Sequence, residues 1–356
     1  MKILFVIDSL NIGGAEKLTV DIIKKIHDVH TVGIYVLKTQ KTFLYEDVLS
    51  LKNVKIYCAN ISLYSPLHIF NIAKLAKLYD VVHVNLFPAL YWGAAASVIT
   101  SKHTKFIYTE HSSFNKRREH SCLRILEKVI YRHYHKIVVI SEGVKKSLSC
   151  WIGQTERIIT INNGVDLQNY INATEVDKRT LGITREATII FMSARFNAAK
   201  DQSTLIRALK LIPDKKIHLV LAGDGPLRKD AEMLVKNLNL TERVHFLGFR
   251  NDIPNLIQTS DICVLSSNWE GFGLVAVEYM AAGKPVIVSD VEGLNDIVRN
   301  AGLLFRHGDE EDLAEKIEML VNDKHIYKDI AIKCKARSKY YDINKMIQSY
   351  LHLYLS

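Results

Sequence analysis

Cysteine is scarce and scattered. Cys58, Cys122, Cys150, Cys263 and Cys334 form no C-x-x-C pair and no metal-ligand spacing, which excludes a disulfide framework and suits a reducing compartment. Proline, glycine and serine are nowhere concentrated, and no low-complexity tract or internal repeat is visible. A fibrous, linker-rich or solenoid chain is therefore excluded. Long apolar runs are also lacking, with one exception. Residues 81–101 hold no Asp, Glu, Lys or Arg and are long enough to span a bilayer. They contain His83, Asn85 and Pro88 and divide into VVHV, a short loop and ALYWGAAASVI. That pattern reads as strand, loop and helix inside a globular domain. The opening run MKILFVID is cut short by Asp8, so it reads as a buried first strand and not as a signal peptide.

Acidic residues are short in the first half only. Residues 1–165 carry 22 Lys and Arg against 12 Asp and Glu, whereas residues 166–356 carry 25 against 26. The whole net charge of +9 thus sits in the first half, which suggests an anionic partner, nucleic acid or a membrane surface. No nucleic-acid recognition module or stacking-aromatic pattern accompanies the charge, so no nucleic acid partner is expected.

What is present is alternation. At 356 residues and 48% hydrophobic, the chain suits two domains. Strands are expected at 2–7, 30–37, 54–57, 81–84, 105–109, 136–140 and 157–161, with helical-period segments such as AEKLTVDIIKKI between them. The pattern pauses at Asn162-Asn-Gly-Val-Asp166 and a polar stretch, then restarts at 188–194, 217–222, 244–248, 261–266, 285–289 and 302–305. Strand–helix alternation implies parallel sheets with crossover helices. The expected fold class is α/β, with two doubly wound, Rossmann-like domains facing across a cleft. The boundaries are 1–165 for the first domain and 166–356 for the second, which ends in amphipathic helices, and the C-terminal helix is expected to cross back to the first domain.

Ligands of open α/β sheets bind outside the carboxyl ends of the strands. Four loops stand there: DSLNIGGAE in the first domain, and ARFNAAKD, AGDGPLR and SSNWEGFG in the second. Glu270 falls in the last of these, and Gly271 and Gly273 lead into a helix that carries Glu278. First-turn amides and the helix dipole suit a diphosphate, and Glu278 can accept bonds from paired hydroxyls. On spacing alone, both glutamates read equally as exposed acids. Arg195 and Lys200 precede a helix N-terminus, where cations are poorly placed unless they face an anion; two solvated loop cations are the plainer alternative. Gly223-Asp224 is an ordinary strand-to-helix turn, Gly13-Gly14 is not a G-x-G-x-x-G fingerprint, and His111 closes the strand KFIYT.

Together the loops resemble something specific. The run SSNWEGFGLVAVEYMAAGKPVIVSDVEG is similar to the nucleotide-sugar signature of family-4 retaining glycosyltransferases, the glycosyl transferases group 1 of the GT-B fold. Glu270 and Glu278 match its E-x7-E pair, and Arg195 and Lys200 its cation pair at spacing five. INNGVD, GDGPLR and the early GGAE fit as well, so the resemblance covers nearly the whole chain. It implies that Glu278 holds the ribose and that Glu270 faces the donor sugar. The backbone of Gly271, Phe272, Gly273 and Leu274 would take phosphate and sugar oxygens, beside the turn at Gly223 and Asp224. Arg195 and Lys200 would neutralise the departing diphosphate, with no metal and no cofactor beyond the nucleotide-sugar substrate. His111 would lie near the donor sugar, and Gly13 and Gly14 near the phosphates or the acceptor. Ala194, Asp201, Tyr279 and Asp296 depart from the commoner residues Gly, Gly, Ala and Glu at those places.

The resemblance implies a metal-independent enzyme that transfers a sugar, with retention, from a UDP-linked or alternatively GDP-linked donor to a glycan or polyprenyl-linked acceptor. Bacterial surface-polysaccharide assembly (capsule, O-antigen, exopolysaccharide or teichoic acid) is the expected setting. A nucleotide-sugar 2-epimerase and a non-catalytic nucleotide-sugar-binding protein are the competing readings. A cytoplasmic protein peripheral on the inner membrane face is expected. Its anionic-lipid contact is assigned to residues 116–136, KRREHSCLRILEKVIYRHYHK, with Arg117, Arg124, Lys128 and Arg132 on one helix face and Leu123, Leu126 and Ile130 on another. A core-packed helix with a solvated basic face is the alternative.

Overall fold

The computed structural model describes residues 1–11, 13–100, 103–113 and 115–356. The chain forms two compact units, residues 1–164 with 343–356, and residues 165–342. The first unit begins with β1 (Lys2–Ile7), α1 (Gly14–Ile26), β2 (Thr31–Val36), α2 (Phe43–Leu49) and β3 (Val54–Cys58). It continues through α3 (Leu67–Ala76), β4 (Val81–Asn85), α4 (Ala89–Ile99), β5 (Lys105–Glu110) and α5 (Ser121–Arg132). It then closes with β6 (Lys136–Val139), α6 (Glu142–Ile152) and β7 (Ile158–Thr160). All seven strands are parallel, in the order β3-β2-β1-β4-β5-β6-β7.

The second unit holds α7 (Gln168–Ile171), β8 (Thr188–Ser193), α8 (Gln202–Leu211), β9 (Ile217–Ala222), α9 (Arg228–Asn237) and β10 (Val244–Gly248). Next come α10 (Ile253–Thr259), β11 (Ile262–Leu265), α11 (Leu274–Ala281), β12 (Val286–Ser289) and α12 (Asn295–Val298). It ends with β13 (Leu303–Phe305), α13 (Glu310–Asn322) and α14 (Lys324–Ser338), and a final helix, α15 (Ile343–Leu355), follows. The six-stranded parallel sheet is ordered β10-β9-β8-β11-β12-β13. Both sheets are buried on their two faces, which is why their strands read as near-continuous apolar runs. Each of the thirteen expected strands is present. Residues 81–99 form β4 and α4 as expected, Ser101 lies outside the described residues, and among the described residues no helix is long and apolar enough to cross a membrane.

The last helix returns to the first unit as expected, so the second unit ends at residue 342 and not at 356. Residues 343–356 belong with the first unit, because α15 buries its apolar stripe there. Ile343, Met346, Ile347, Tyr350, Leu353 and Tyr354 join the core formed around β1, β2 and α1. Polar bonds fix the position. His83 on β4 bonds the Tyr354 hydroxyl through Nδ1 at 2.6 Å and the Thr109 hydroxyl through Nε2 at 2.7 Å. Burial lowers the His83 pKa to about 3, so the ring is neutral and both nitrogens are satisfied.

A second correction concerns residues 116–136, which are not one helix. A 3-10 turn over Lys116–Glu119 precedes α5, and Lys136 already opens β6. Arg117 points inward: its Nε donates to Glu127 at 2.7 Å, and its guanidinium lies 4.2 Å from the Phe87 ring centre. Glu127, wholly buried, also accepts from the Tyr91 hydroxyl and the Trp151 indole. Arg124 donates to the carbonyls of Trp151 and Cys150. The expected quartet of headgroup cations does not share one solvated face. A buried carboxylate must be paired, and Glu127 sets how the helix is turned.

Candidate active site

The site residues of the second unit gather at the carboxyl ends of β8, β9 and β11. β8 runs into the loop of Arg195 and Lys200, and β11 into the loop of Glu270. Polar bonds tie the two loops together. The Asn268 amide N–H donates to Ala199 O at 2.8 Å, its side chain donates to Ala198 O at 2.6 Å, and Ser266 Oγ donates to Asp201 O at 2.8 Å. The Lys200 ammonium pairs with the Glu270 carboxylate, both largely shielded from solvent, and Ser267 Oγ donates to the same carboxylate oxygen at 3.3 Å. Two loops distant in sequence thus meet in one polar cluster of Lys200, Ser267 and Glu270. Arg195 is exposed at the start of its loop, its carbonyl held by Gln202 Nε2 at 3.2 Å.

Gly223 and Asp224 lie against this loop. The Phe196 N–H donates to Asp224 O at 3.0 Å. A Cβ on Gly223, whose φ is +135°, would stand 2.1 Å from the Ala194 carbonyl oxygen, so only glycine permits the approach. The Asp224 side chain accepts from Arg228 at 3.2 Å and points toward solvent.

Gly271, Phe272 and Gly273 lead from Glu270 into α11, with Leu274 as its first residue. Gly273 is the N-cap, with φ +84°. Its hydrogen faces Leu294, whose Cδ2 would be 2.4 Å from any Cβ. No side chain caps this helix end, which leaves first-turn amides for an anion. Glu278 is buried in α11.

Three departures from the family pattern have physical accounts. Asp201 has φ +42°, a region that favours glycine, and it compensates as N-cap of α8, accepting from Thr204 N at 3.3 Å and Thr204 Oγ1 at 2.5 Å. Tyr279 is fully buried, and its hydroxyl accepts the Ser193 N–H at 2.6 Å, at the start of the Arg195 loop. Asp296 pairs with Arg299 at 2.6 Å. None removes a group from the polar cluster.

The first unit holds the remaining expected residues. Gly14 opens α1 and Gly13 is its N-cap in extended backbone; a Cβ on Gly13 would meet the Glu16 carboxylate at 2.3 Å. His111 follows β5 directly. Its Nε2 bonds Asn85 Oδ1 at 2.9 Å, and burial lowers its pKa to about 4. The ring is therefore neutral, with Nε2–H donating and Nδ1 left as an acceptor.

Sequence reasoning missed several contributors. Ser267, Asn268 and Tyr279 hold the second unit's loops, and Asn85 orients His111. Asp8, at the end of β1, has its pKa raised to about 6 by burial, partly offset by the Ser9 N–H that donates to it at 2.7 Å. Position at a strand end was the available signal for Asp8 and Asn85. Because the folded state disfavours ionised Asp8, its raised pKa costs stability as pH rises from about 4 to above 6. Asp8→Asn should therefore stabilise the fold at pH 8, by up to about 3 kcal/mol, and have no such effect near pH 3. Urea melts at the two pH values check this; equal gains at both would contradict it.

Comparison with known proteins agrees with this arrangement. Residues 12–169 match the family described as Glycosyltransferase Family 4, and residues 173–338 that described as Glycosyl transferases group 1. EpsD of Bacillus subtilis, named as a glycosyltransferase, is 30% identical over 258 residues, covering 68% of this chain and 67% of EpsD. The UDP-Gal:alpha-D-GlcNAc-diphosphoundecaprenol alpha-1,3-galactosyltransferase of Escherichia coli is 29% identical over 287 residues, covering 75% and 73%. The crystal structure of Anabaena HepE in complex with UDP and glucose superimposes with a TM-score of 0.86, at 26% identity and 99% coverage of each chain. The fold is GT-B. The chain belongs to glycosyltransferase family 4, whose members act on nucleotide-sugar donors.

Proposed function

We propose that this enzyme transfers a sugar, with retention of configuration, from a UDP-linked donor to a polyprenyl-linked or glycan acceptor in surface-polysaccharide assembly. The observation that carries the reading is the Lys200–Glu270 pair, set between the loops after β8 and β11. Lys200 keeps further N–H donors beyond the one given to Glu270, so one ammonium can touch both the sugar-facing carboxylate and a diphosphate. Arg195 adds a second cation, and the first amides of α11 add donors to the phosphates. Two protein cations supply the charge that a metal ion would otherwise bring, so the chemical step is metal-independent. Glu278, shielded in α11, accepts from the ribose hydroxyls. Glu270 stabilises the positive charge that develops at the sugar carbon as the diphosphate leaves. His111, neutral, accepts a sugar hydroxyl at Nδ1. HepE with UDP and glucose, and the undecaprenol-linked acceptor named for the E. coli relative, support the donor and acceptor classes. The acceptor places the enzyme on the inner face of the membrane.

The test is direct. The protein is incubated with UDP- and GDP-sugars and a polyprenyl-diphosphate-sugar acceptor, with and without chelator, and the product's anomeric configuration is read by NMR. An α-linked product from an α-linked UDP-sugar, unaffected by chelator, is expected. Inversion, or strict dependence on a divalent cation, would overturn the corresponding part of the reading.

A further inference from the structure

The way Glu127 turns α5 leaves an unusual surface. Its buried stripe is Glu127 and Tyr131, so Ile125, Leu126 and Val129 face outward, 75%, 46% and 46% exposed. Exposed Cys122 extends this stripe one turn earlier. Three aliphatic side chains on adjacent turns are costly in water unless something covers them. Exposed Arg132 and partly exposed Lys128 flank the stripe. The only carboxylate of α5 is Glu127, which is buried and paired.

The neighbouring helices of the same layer continue the pattern. α4 packs beside α5 and α3 beside α4. α4 has no charged residue and exposes Val98 near its end, while α3 has no acidic residue and exposes Leu67, Phe70 and Lys74. Exposed aliphatic and aromatic side chains with cations, and no exposed carboxylate on any of the three helices, complement a uniformly anionic, apolar-cored surface. That surface is a bilayer containing acidic lipids. A protein partner would have to present carboxylates beside an apolar patch, and the test below separates the two.

We propose that α5 is an interfacial anchor, with Ile125, Leu126 and Val129 inserted below the headgroups and Lys128, Arg132 and Lys74 on lipid phosphates. This replaces a purely electrostatic contact through Arg117 and Arg124, whose guanidiniums are engaged within the protein. The proposal rests on the lipid-linked-acceptor reading for its purpose, but its test needs no sugar.

The full chain is sedimented with vesicles of phosphatidylglycerol and phosphatidylcholine, and with phosphatidylcholine alone. Binding to the anionic vesicles is expected, and a fraction should survive about 0.5 M salt, because screening weakens ion pairs but not apolar insertion. Ile125→Ser/Leu126→Ser/Val129→Ser should weaken binding about tenfold or more and abolish the salt-resistant fraction, with an unchanged melting temperature. Lys74→Gln/Lys128→Gln/Arg132→Gln should remove the preference for anionic vesicles. An environment-sensitive dye on Cys122, in a Cys58→Ser/Cys150→Ser background, should shift to the blue on vesicle addition. Wild-type binding by the triple serine variant overturns the anchor. So does the absence of vesicle binding, with or without self-association of the chain. UDP-sugar binding, titrated separately, tests the transferase reading: its loss would sink that reading and leave the vesicle result standing.

Discussion

Replacing Lys200 with methionine should lower turnover by roughly 10²–10³-fold, equivalent to about 2.7–4 kcal/mol of transition-state stabilisation. The size follows from where the charge changes. As the glycosidic bond breaks, negative charge grows on the departing diphosphate, and a fixed ammonium nearby gains most at that moment. Methionine preserves the length and apolar stem while removing the charge. Arg195→Met should fall in the same range if, as proposed, its guanidinium forks onto phosphate oxygens. Both losses should appear in kcat more than in KM, since the diphosphate carries less charge in the ground state. Initial rates of donor hydrolysis and of transfer check this. Lys200→Met also breaks the pair with Glu270, so Lys200→Arg serves as the control. It keeps the charge and should recover at least part of the lost rate. A Lys200→Met enzyme within about threefold of wild type would remove Lys200 from the chemistry.

Much of the fold was legible because both sheets are parallel and buried. Strands covered on two faces write themselves as short apolar runs, such as KILFVI and DICVLS. The return of the last helix to the first unit was expected from the family resemblance, not from the local pattern of residues 343–355, which does not say which core its apolar stripe will join. Burial among β1, β2 and α1 settles that, with the bond of His83 to Tyr354 across 271 positions of sequence.

The candidate site was legible through charge in unexpected places. Cations before a helix N-terminus and glutamates in an apolar segment are both costly without a partner, and Lys200 and Glu270 are indeed partnered, with each other. The basic segment misled for the same kind of reason. Helical periodicity put Arg117 on a solvated face, but periodicity carries no information about a carboxylate ten residues away that must be neutralised once buried. Glu127 took Arg117 inward, and of the three aliphatic residues expected on the other face Leu126 is turned out, while Leu123 and Ile130 stay partly buried. Asp201 shows a subtler limit. A left-handed position usually filled by glycine is open to aspartate when the side chain caps the helix that follows.

The two glutamates should separate cleanly. Glu278→Gln is expected to weaken binding of free UDP by roughly 10–10²-fold, because a hydrogen bond to a charged, buried acceptor contributes about 1.5–3 kcal/mol. The ribose is common to donor and product, so the loss should be equal for both. Glu270→Gln should leave UDP affinity within about twofold and lower kcat by roughly 10²-fold. Glutamine retains an oxygen that can accept from Lys200 and Ser267, so the stitched loops keep their shape. What it lacks is the negative charge opposite the sugar carbon, and that charge matters only when positive charge develops there. Titration calorimetry with UDP and steady-state rates on the same preparations measure both quantities. Equal losses of UDP affinity in the two variants would show that Glu270 acts on the nucleotide, and the division of labour between the loop and α11 would fail. A kcat loss in Glu278→Gln alone would reverse the two roles.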